Sequence, residues 1–339
     1  MERSNYNLID LLKYICAILV VAVHVNPLKD LSEWANFVVI NIFGRVAVPF
    51  FFVCAGYFIA NNLKKRGDVY IKDYMISLMK TYIIWSIIYL PFGILWVQSN
   101  LDIPIILYPI ALIYAFFNVG TFYHLWYVPA LVFSVLVTFF YTKKFSLRSL
   151  FIWSLILYTI GAAETYNAYL DPALQSIVAS YMGIFFTTRN GLFYGMIFVV
   201  IGFIAAQDNW LTRFKKNGLA FFICFSMLIF EAFRMYNTDG YDFNFLFMLV
   251  PLSYFMFQWA KSVNYHRDCR KLRDLGSLYY FTHVMFIELI PMGLGLIHQK
   301  QLFDSGLFRF VSVMLCTHGL SMLITMIRKF IKHRQLSTQ

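Results

Sequence analysis

The stretch IDLLKYICAILVVAVH, at residues 9–24, indicates the class of fold. It is an almost unbroken apolar run, and similar runs recur along the whole chain of 339 residues. Of these residues, 60% are apolar and 13% are charged, whereas a soluble domain is about 45–50% apolar and about 25% charged. This composition leaves too little polar surface to cover a water-soluble globule. The sequence therefore predicts an all-α integral membrane protein that crosses the bilayer many times.

We interpret ten of the apolar runs as membrane spans, since a hydrocarbon core of ~30 Å needs about 20 helical residues. They lie at residues 8–26, 36–60, 72–97, 122–141, 149–163, 191–206, 218–234, 243–260, 277–297 and 307–330. A further apolar stretch, 103–117, is short and contains Pro104 and Pro109. Because apolar runs fill the chain evenly, we expect residues 1–339 to form a single polytopic membrane domain.

The basic residues predict how the chain is oriented. If 103–117 does not cross the membrane, twenty of the 28 Lys and Arg residues fall on the same side. Cytoplasmic loops of membrane proteins carry such an excess of positive charge. The pattern therefore predicts that both termini are cytoplasmic and that 103–117 is a re-entrant or surface segment.

The net charge of +11 does not indicate a nucleic-acid-binding protein, because the basic residues form short clusters between apolar runs. The five cysteines include no CxxC pair, and most of them lie inside apolar runs. The seven histidines also lack the spacing of metal ligands. We therefore expect no nucleic-acid partner and no metal site.

The first span carries two ionisable side chains on one face. Lys13 and His24 are eleven residues apart, which at ~100° per residue is about 20° past three full turns and a separation of about 16 Å. Taken alone, Lys13 could extend its amine to the membrane interface, and His24 could be a hydrogen-bonded core residue. The shared face, together with Arg45 at a similar depth in the second span, makes His24 a candidate general base, because a buried cation near an imidazole favours its unprotonated form.

The second span contributes Arg45, in the run RVAVPFFFVCAGYF at 45–58. Arg45 lies roughly nine residues, or about 14 Å, into the span from the outside, which places it near the depth of His24. Pro49 follows it and breaks the helix, leaving backbone carbonyls without partners. We therefore predict that Arg45 faces the same cavity as His24.

The run HLWYVPAL, at 124–131, follows the segment that does not cross. It places His124 and Trp126 at the outer membrane boundary, where they could line a cavity. The alternative is that Trp126 belongs to the belt of aromatic residues that membrane proteins carry at the lipid interface.

These runs together resemble the acyltransferase family 3 of membrane proteins, over essentially the whole chain. That family has an Arg and a His separated by ten residues in its first span, and here Lys13 and His24 occupy those places. The runs RVAVPFFFVCAGYF and HLWYVPAL resemble its next two blocks. TTRNGLFYG at 187–195 and SLYYFTHVMFI at 277–287 resemble later blocks, which adds Arg189, Asn190 and His283. The details are most similar to the membrane half of the vancomycin-resistance serine racemases.

The resemblance implies an O-acyltransferase of the bacterial cytoplasmic membrane. It would move an acyl group, usually acetyl, from cytoplasmic coenzyme A to a hydroxyl of an extracytoplasmic glycan, lipid-linked sugar or small molecule. Acetyl-CoA is then a co-substrate, and no bound cofactor is expected. His24 would be catalytic. The residues that would bind the donor or the substrate are Lys13, Arg45, His124, Trp126, Arg189, Asn190 and His283.

An alternative function remains open from the sequence. The same branch of relatives is associated with serine uptake, so the chain could be a transport domain without acyl-transfer chemistry. In that case Arg45 or Arg189 would bind the carboxylate of the amino acid.

Overall fold

The structure is a computed structural model that describes residues 6–101, 103–207, 214–238 and 240–337. Within these ranges every regular element is helical, so the predicted all-α membrane fold is confirmed. The helices, labelled in chain order, are α1 (Asn7–Val25), α2 (Glu33–Arg66), α3 (Val69–Asn100), α4 (Tyr108–Asn118), α5 (Tyr127–Thr142), α6 (Leu147–Gly161), α7 (Pro172–Phe185), α8 (Met196–Ala205), α9 (Asn217–Met235), α10 (Leu249–Ser262), α11 (Arg270–Leu296) and α12 (Gly306–Ser337).

Seven of these helices are long and apolar enough to cross a membrane: α1, α2, α3, α5 with its leading turn, α9, α11 and α12. They coincide with seven of the ten predicted spans. The predicted spans at 149–163, 191–206 and 243–260 form shorter helical segments, such as α6 with 15 residues and α10 with 14. At ~1.5 Å per residue these reach about 21–23 Å, less than the hydrocarbon core. The number of crossings therefore stays a prediction.

The stretch 103–117 forms a short 3₁₀ turn followed by α4, which has 11 residues. A straight α-helix of that length covers about 16 Å and is too short to span a bilayer. The exposed side chains of α4 are strongly apolar, with Ile110 at 64% and Phe117 at 67% exposure. Such a helix is typical of a re-entrant or membrane-surface segment, and that assignment stays a prediction.

The chain divides into two compact units, Met1–Ala47 with Ala260–Gln339 and Val48–Trp259. We call them the first and second unit. Whether the chain is one functional membrane domain stays a prediction.

The first unit is built on α1, α11 and α12. Helices α1 and α11 run in parallel, because Asp10 pairs with Arg273 at their first turns and His24 lies beside His283 further along. Helix α12 runs antiparallel to α11 and packs on the end of α1, where Val21, Val25 and Val313 form a fully buried cluster. Arg309 of α12 donates from Nη1 to the carbonyl of Val25, 3.2 Å away, and so caps the carboxyl end of α1.

The second unit depends on a very close approach of two helices. A Cβ atom built on Gly56 of α2 would lie 2.4 Å from the carbonyl oxygen of Val199 in α8. A Cβ on Gly202 would lie 2.4 Å from the carbonyl oxygen of Val53. Only glycine lets two helix backbones come so near each other, and small residues are the usual means of packing helices in membranes.

Short turns of non-α geometry interrupt this regular pattern. A π turn at Val38–Phe43 and a 3₁₀ turn at Gly44–Val46 lie within α2. A second π turn, Gly191–Gly195, leads into α8. Pro49 has no N–H to donate to the carbonyl of Arg45, which agrees with the helix break predicted there.

Candidate functional site

In the first unit, two imidazoles lie together where α1 passes α11. The ring centroids of His24 and His283 are 5.2 Å apart and the rings are tilted by 36°. His283 is completely buried, and its Nδ1 lies 2.7 Å from the carbonyl oxygen of Tyr279. Because a carbonyl only accepts, His283 carries its proton on Nδ1 in this hydrogen bond, and in the neutral ring Nε2 then holds a lone pair.

Arg45 lies in the irregular part of α2, in the same unit. Its Nε and Nη2 both donate to Oδ1 of Asn41, at 3.1 and 3.0 Å. Its neighbour Gly44 packs against α1, since a Cβ on Gly44 would lie 2.3 Å from Cγ2 of Val23. Residues 44 and 23 immediately precede Arg45 and His24, so the two segments meet at the level of the imidazole.

Lys13 lies at the opposite end of the same face of α1, beside a charged cluster. The carbonyl oxygen of Lys13 is 3.6 Å from a Cβ built on Gly276 of α11. One turn earlier, Asp10 is buried and its carboxylate lies 3.8 Å from Nη1 of Arg273. The end of the first unit that is predicted to be cytoplasmic therefore places Arg273 beside a buried carboxylate, about one turn of α1 from Lys13.

A hydrogen-bonded chain that the sequence did not predict links the three helices of the first unit. The hydroxyl of Tyr279 lies 2.6 Å from Nδ1 of His318 and 3.1 Å from the hydroxyl of Tyr14. Tyr14 directly follows Lys13 in the sequence, and Tyr279 lies one helical turn before His283. His318 is thus part of a polar network near the imidazole pair.

In the second unit, Arg189 lies against Trp126. Its Cζ atom is 4.8 Å from the centroid of the indole, and Nη1 donates to Oδ1 of Asn244 over 3.5 Å. Asn190, which follows it, caps the π turn, because its Oδ1 accepts from the N–H groups of Leu192 and Phe193 at 3.0 and 3.1 Å. Two of the predicted residues, Trp126 and Arg189, are therefore in direct contact.

His124 lies in a different environment from the one that the sequence suggested. Its ring is 1% exposed and packs edge-on against Tyr89, with centroids 4.5 Å apart, and against Phe122. A cavity of ≈ 360 Å³ lies nearby in the same unit, but neither His124 nor Trp126 lines it. Its walls come from α4, α5, α7 and the π turn, and they include Tyr114, Phe133, Tyr181, Asn118, Thr187 and Asn190.

Glu164, just after α6, is the buried acid that holds the segment before the π turn. It is 2% exposed, and its carboxyl accepts from Oγ1 of Thr187 at 3.1 Å and from the N–H of Thr188. Burial raises the pKa of Glu164 to about 7, and the negative charge of Asp242 acts in the same direction. Glu164 directly follows the predicted span 149–163, and no motif around it indicates this role.

The raised pKa of Glu164 predicts that stability depends on pH. An acid whose pKa is higher in the folded protein stabilises it fully below about pH 4.5, its unfolded value, and loses this contribution as the pH rises towards about 7. We expect the unfolding temperature of detergent-solubilised protein to decrease as the pH is raised from about 4.5 to about 7. In Glu164→Gln this fall should be reduced, whereas Glu33→Gln, an exposed carboxyl of α2, should retain it. Equal pH profiles for Glu164→Gln and wild type would contradict the assignment.

The structure thus brings the predicted residues together in two groups, one per unit. The first unit holds Lys13, His24, Arg45 and His283, with the two histidines adjacent. The second unit holds His124, Trp126, Arg189 and Asn190, with Trp126 and Arg189 in contact. Over the described ranges, no cluster of His, Cys, Asp and Glu is suited to a metal ion.

Comparison with known proteins extends this picture. The profile of acyltransferase family 3, described as an acyltransferase domain, matches residues 6–326. The chain is 27% identical over 346 aligned positions to an amino-acid racemase of Enterococcus faecalis, covering 98% of this chain and 47% of that protein. It is 24% identical to a serine/alanine racemase of Enterococcus gallinarum, covering 96% and 47%.

The chain therefore spans about half the length of these curated relatives. No solved structure matches it. The resemblance predicted from the runs around Lys13, Arg45, His124, Arg189 and His283 is confirmed at the level of the family. With a matching profile over nearly its whole length and helices that can cross a bilayer, the chain belongs to acyltransferase family 3 and is a membrane protein with an acyltransferase domain.

Proposed function

We propose that this protein is a membrane-embedded O-acyltransferase that moves an acetyl group from cytoplasmic acetyl-CoA to a hydroxyl. The acceptor is an extracytoplasmic glycan, a lipid-linked sugar or a small hydroxylated molecule. The observation that carries the proposal is the position of His24, beside a second imidazole and on the face of α1 that also bears Lys13. Family membership supplies the class of reaction.

His24 acts in this reaction as the general base. The neutral imidazole takes the proton of the acceptor hydroxyl while the oxygen attacks the thioester carbonyl. The tetrahedral intermediate collapses by breaking the carbon–sulfur bond, and the thiolate of coenzyme A leaves with the proton that the imidazolium returns. The products are the O-acetyl ester and free coenzyme A, and no further reactant is needed.

The other residues of the first unit bind the donor. Lys13 lies about 16 Å along α1 from His24, in the charged cluster with Asp10 and Arg273, where its ammonium meets a phosphate of coenzyme A. Arg45, fixed by Asn41, stabilises the negative oxygen of the tetrahedral intermediate. His283 holds the neighbouring imidazole in place.

The second unit binds the acceptor in this proposal. Trp126 lies near the outer end of the predicted span 122–141, and Arg189 and Asn190 lie just before the span 191–206, which the charge pattern predicts to enter from outside. His124, packed among aromatic rings, keeps the turn before α5 in shape. The protein then resides in the cytoplasmic membrane with both termini in the cytoplasm.

The proposal is tested by following a labelled acetyl group. Purified protein is reconstituted in liposomes with [¹⁴C]acetyl-CoA outside and an envelope extract inside, in vesicles sorted for orientation. We expect label to appear in ester linkage on a glycan or lipid of the extract, and to be released by mild alkali. If the label stays on coenzyme A while L-serine alone raises the unfolding temperature, the serine-transport alternative is favoured and the enzyme proposal is wrong.

Lys13 gives a prediction that separates binding from chemistry. If its ammonium contacts a phosphate of the donor, Lys13→Ala should raise the KM for acetyl-CoA about tenfold, which corresponds to about 1.4 kcal/mol, with little change in kcat. Lys13→Arg should keep most of the affinity, since it retains the charge. Lys65→Ala, an exposed lysine at the end of α2, is the matched control. An unchanged KM in Lys13→Ala would assign Lys13 to the membrane interface instead.

A further inference from the structure

Arg189 is a cation in a fixed position whose hydrogen-bond donors are mostly unused by the protein. Its guanidinium lies against the indole of Trp126, which is 7% exposed. One donor, on Nη1, reaches Asn244 over a long 3.5 Å. The Nε atom is buried and has no hydrogen-bond partner, and no carboxylate in the described ranges pairs with the guanidinium. A guanidinium offers several N–H groups in a rigid fork, so most of this fork is available.

The acids around Arg189 hold its surroundings without neutralising it. Asp242 accepts from the backbone N–H of Asn244 at 2.8 Å and also from its side-chain amide. That bond turns the carbonyl oxygen of the Asn244 side chain towards Arg189. On the other side, the N–H of Arg189 donates to Oγ1 of Thr187, 2.9 Å away, and Thr187 donates to Glu164. Both carboxyls thus accept hydrogen bonds from residues beside Arg189, and neither forms an ion pair with its guanidinium.

This arrangement is suited to an anion. A partly buried cation whose donors lack partners is costly unless an opposite charge meets it. The planar fork of arginine matches the two oxygens of a carboxylate or a phosphate, and stacking on an aromatic ring fixes the plane of the fork. The position also fits an external ligand, since Trp126 lies near the outer end of the predicted span 122–141 and Arg189 lies just before the predicted span 191–206.

We infer that Arg189, held against Trp126, binds a negatively charged group of the extracytoplasmic acceptor, either a carboxylate or a phosphate. The inference rests on the proposed function, whose acceptor it narrows from any hydroxyl compound to an anionic one. Asn244 and Asp242 are positioning residues in this site, because they act through the orientation of the guanidinium.

The test is a binding measurement with matched pairs of small hydroxyl compounds. Purified protein in detergent is titrated with glycerol 3-phosphate and glycerol, and with D-glucuronate and D-glucose, and the unfolding temperature is recorded. We expect one anion to stabilise the wild type while its neutral partner does not. The phosphate and carboxylate pairs distinguish the two sources of charge. Arg189→Gln should weaken binding of that anion about tenfold or more, the loss expected for a charge-assisted hydrogen bond.

Two further variants make the result decisive. Arg234→Gln removes an exposed cation from the end of α9 and should bind the anion as the wild type does. Arg189→Lys keeps the charge but lacks the fork, so it should bind with intermediate affinity, and it replaces Arg189→Gln if that variant does not fold. Equal effects of anionic and neutral compounds, no effect of any anion, or unchanged binding in the Arg189 variants would each overturn the inference.

The outcomes also separate this inference from the proposed function. Stabilisation by an anion that depends on Arg189, without any transfer of label from acetyl-CoA, would leave the anion site in place and reject the enzyme. Transfer of label to neutral acceptors at equal rates in the wild type and Arg189→Gln would support the enzyme and reject the anion site.

Discussion

Replacing His24 with asparagine is expected to lower kcat for acetyl transfer by about 10²–10⁴-fold, the range that general-base catalysis contributes. Asparagine is polar and of similar size, but it cannot take up the proton of the acceptor hydroxyl. The KM for acetyl-CoA should change little, because the phosphates of the donor are placed at the other end of α1, near Lys13. The measurement is the initial rate of label transfer at saturating acetyl-CoA in reconstituted protein.

The control for this variant is His298→Asn. His298 is exposed and has a φ of 56°, a conformation that asparagine tolerates well. The His298→Asn variant should transfer label at the wild-type rate and should unfold at the wild-type temperature. If His24→Asn retained more than a tenth of the wild-type kcat, His24 would be a packing residue of the α1–α11 contact and another base would be required.

Replacing Gly56 with valine is expected to destabilise the second unit so strongly that little folded protein can be purified. The side chain would meet the backbone of Val199 and Gly202 rather than the end of a flexible side chain, since a Cβ at Gly56 lies 2.4 Å from the carbonyl oxygen of Val199. Overpacking of a core usually costs about 1–3 kcal/mol, and here α2 and α8 must separate. Gly56→Ala should show a smaller loss in the same direction.

The unfolding temperature and the folded yield in detergent measure this effect. Gly183→Ala is the control, because Gly183 of α7 has no atom within 4 Å of its Cβ position and alanine favours a helix. It should be as stable as the wild type or more so. A Gly56→Ala protein that matched Gly183→Ala would show that α2 and α8 do not approach as closely as described.

The sequence predicted the parts of the site that depend on local geometry. Lys13 and His24 share a face because both lie on one uninterrupted helix, so their relation follows from the helical repeat alone. The irregular turn beside Arg45 could be expected from Pro49. The seven long helices followed from hydropathy, because a bilayer imposes a minimum length on an apolar run.

The remaining features depend on contacts between distant parts of the chain. The meeting of His24 and His283 requires α1 to pack on α11, and no repeat within either helix specifies that pairing. The predicted span at 243–260 is shortened because Glu231 accepts from the N–H groups of Phe247 and Met248, at 2.6 and 2.9 Å, which keeps these residues out of the helix. Hydropathy carries no information about such a hydrogen bond between distant residues.

The π turn at Val38–Phe43 has a consequence for how this chain can vary. A π turn accommodates one residue more than an α-helical turn, so deleting one residue there would let a plain α-helix form. The two flanks of α2 would then keep their angular relation, whereas one further residue inserted there would rotate one flank by about 100° against the other. Exchanging one aliphatic residue for another leaves this angular setting intact. A one-residue insertion in this turn is therefore expected to be far more harmful than a one-residue deletion or a substitution, because it would turn Arg45 away from its present direction.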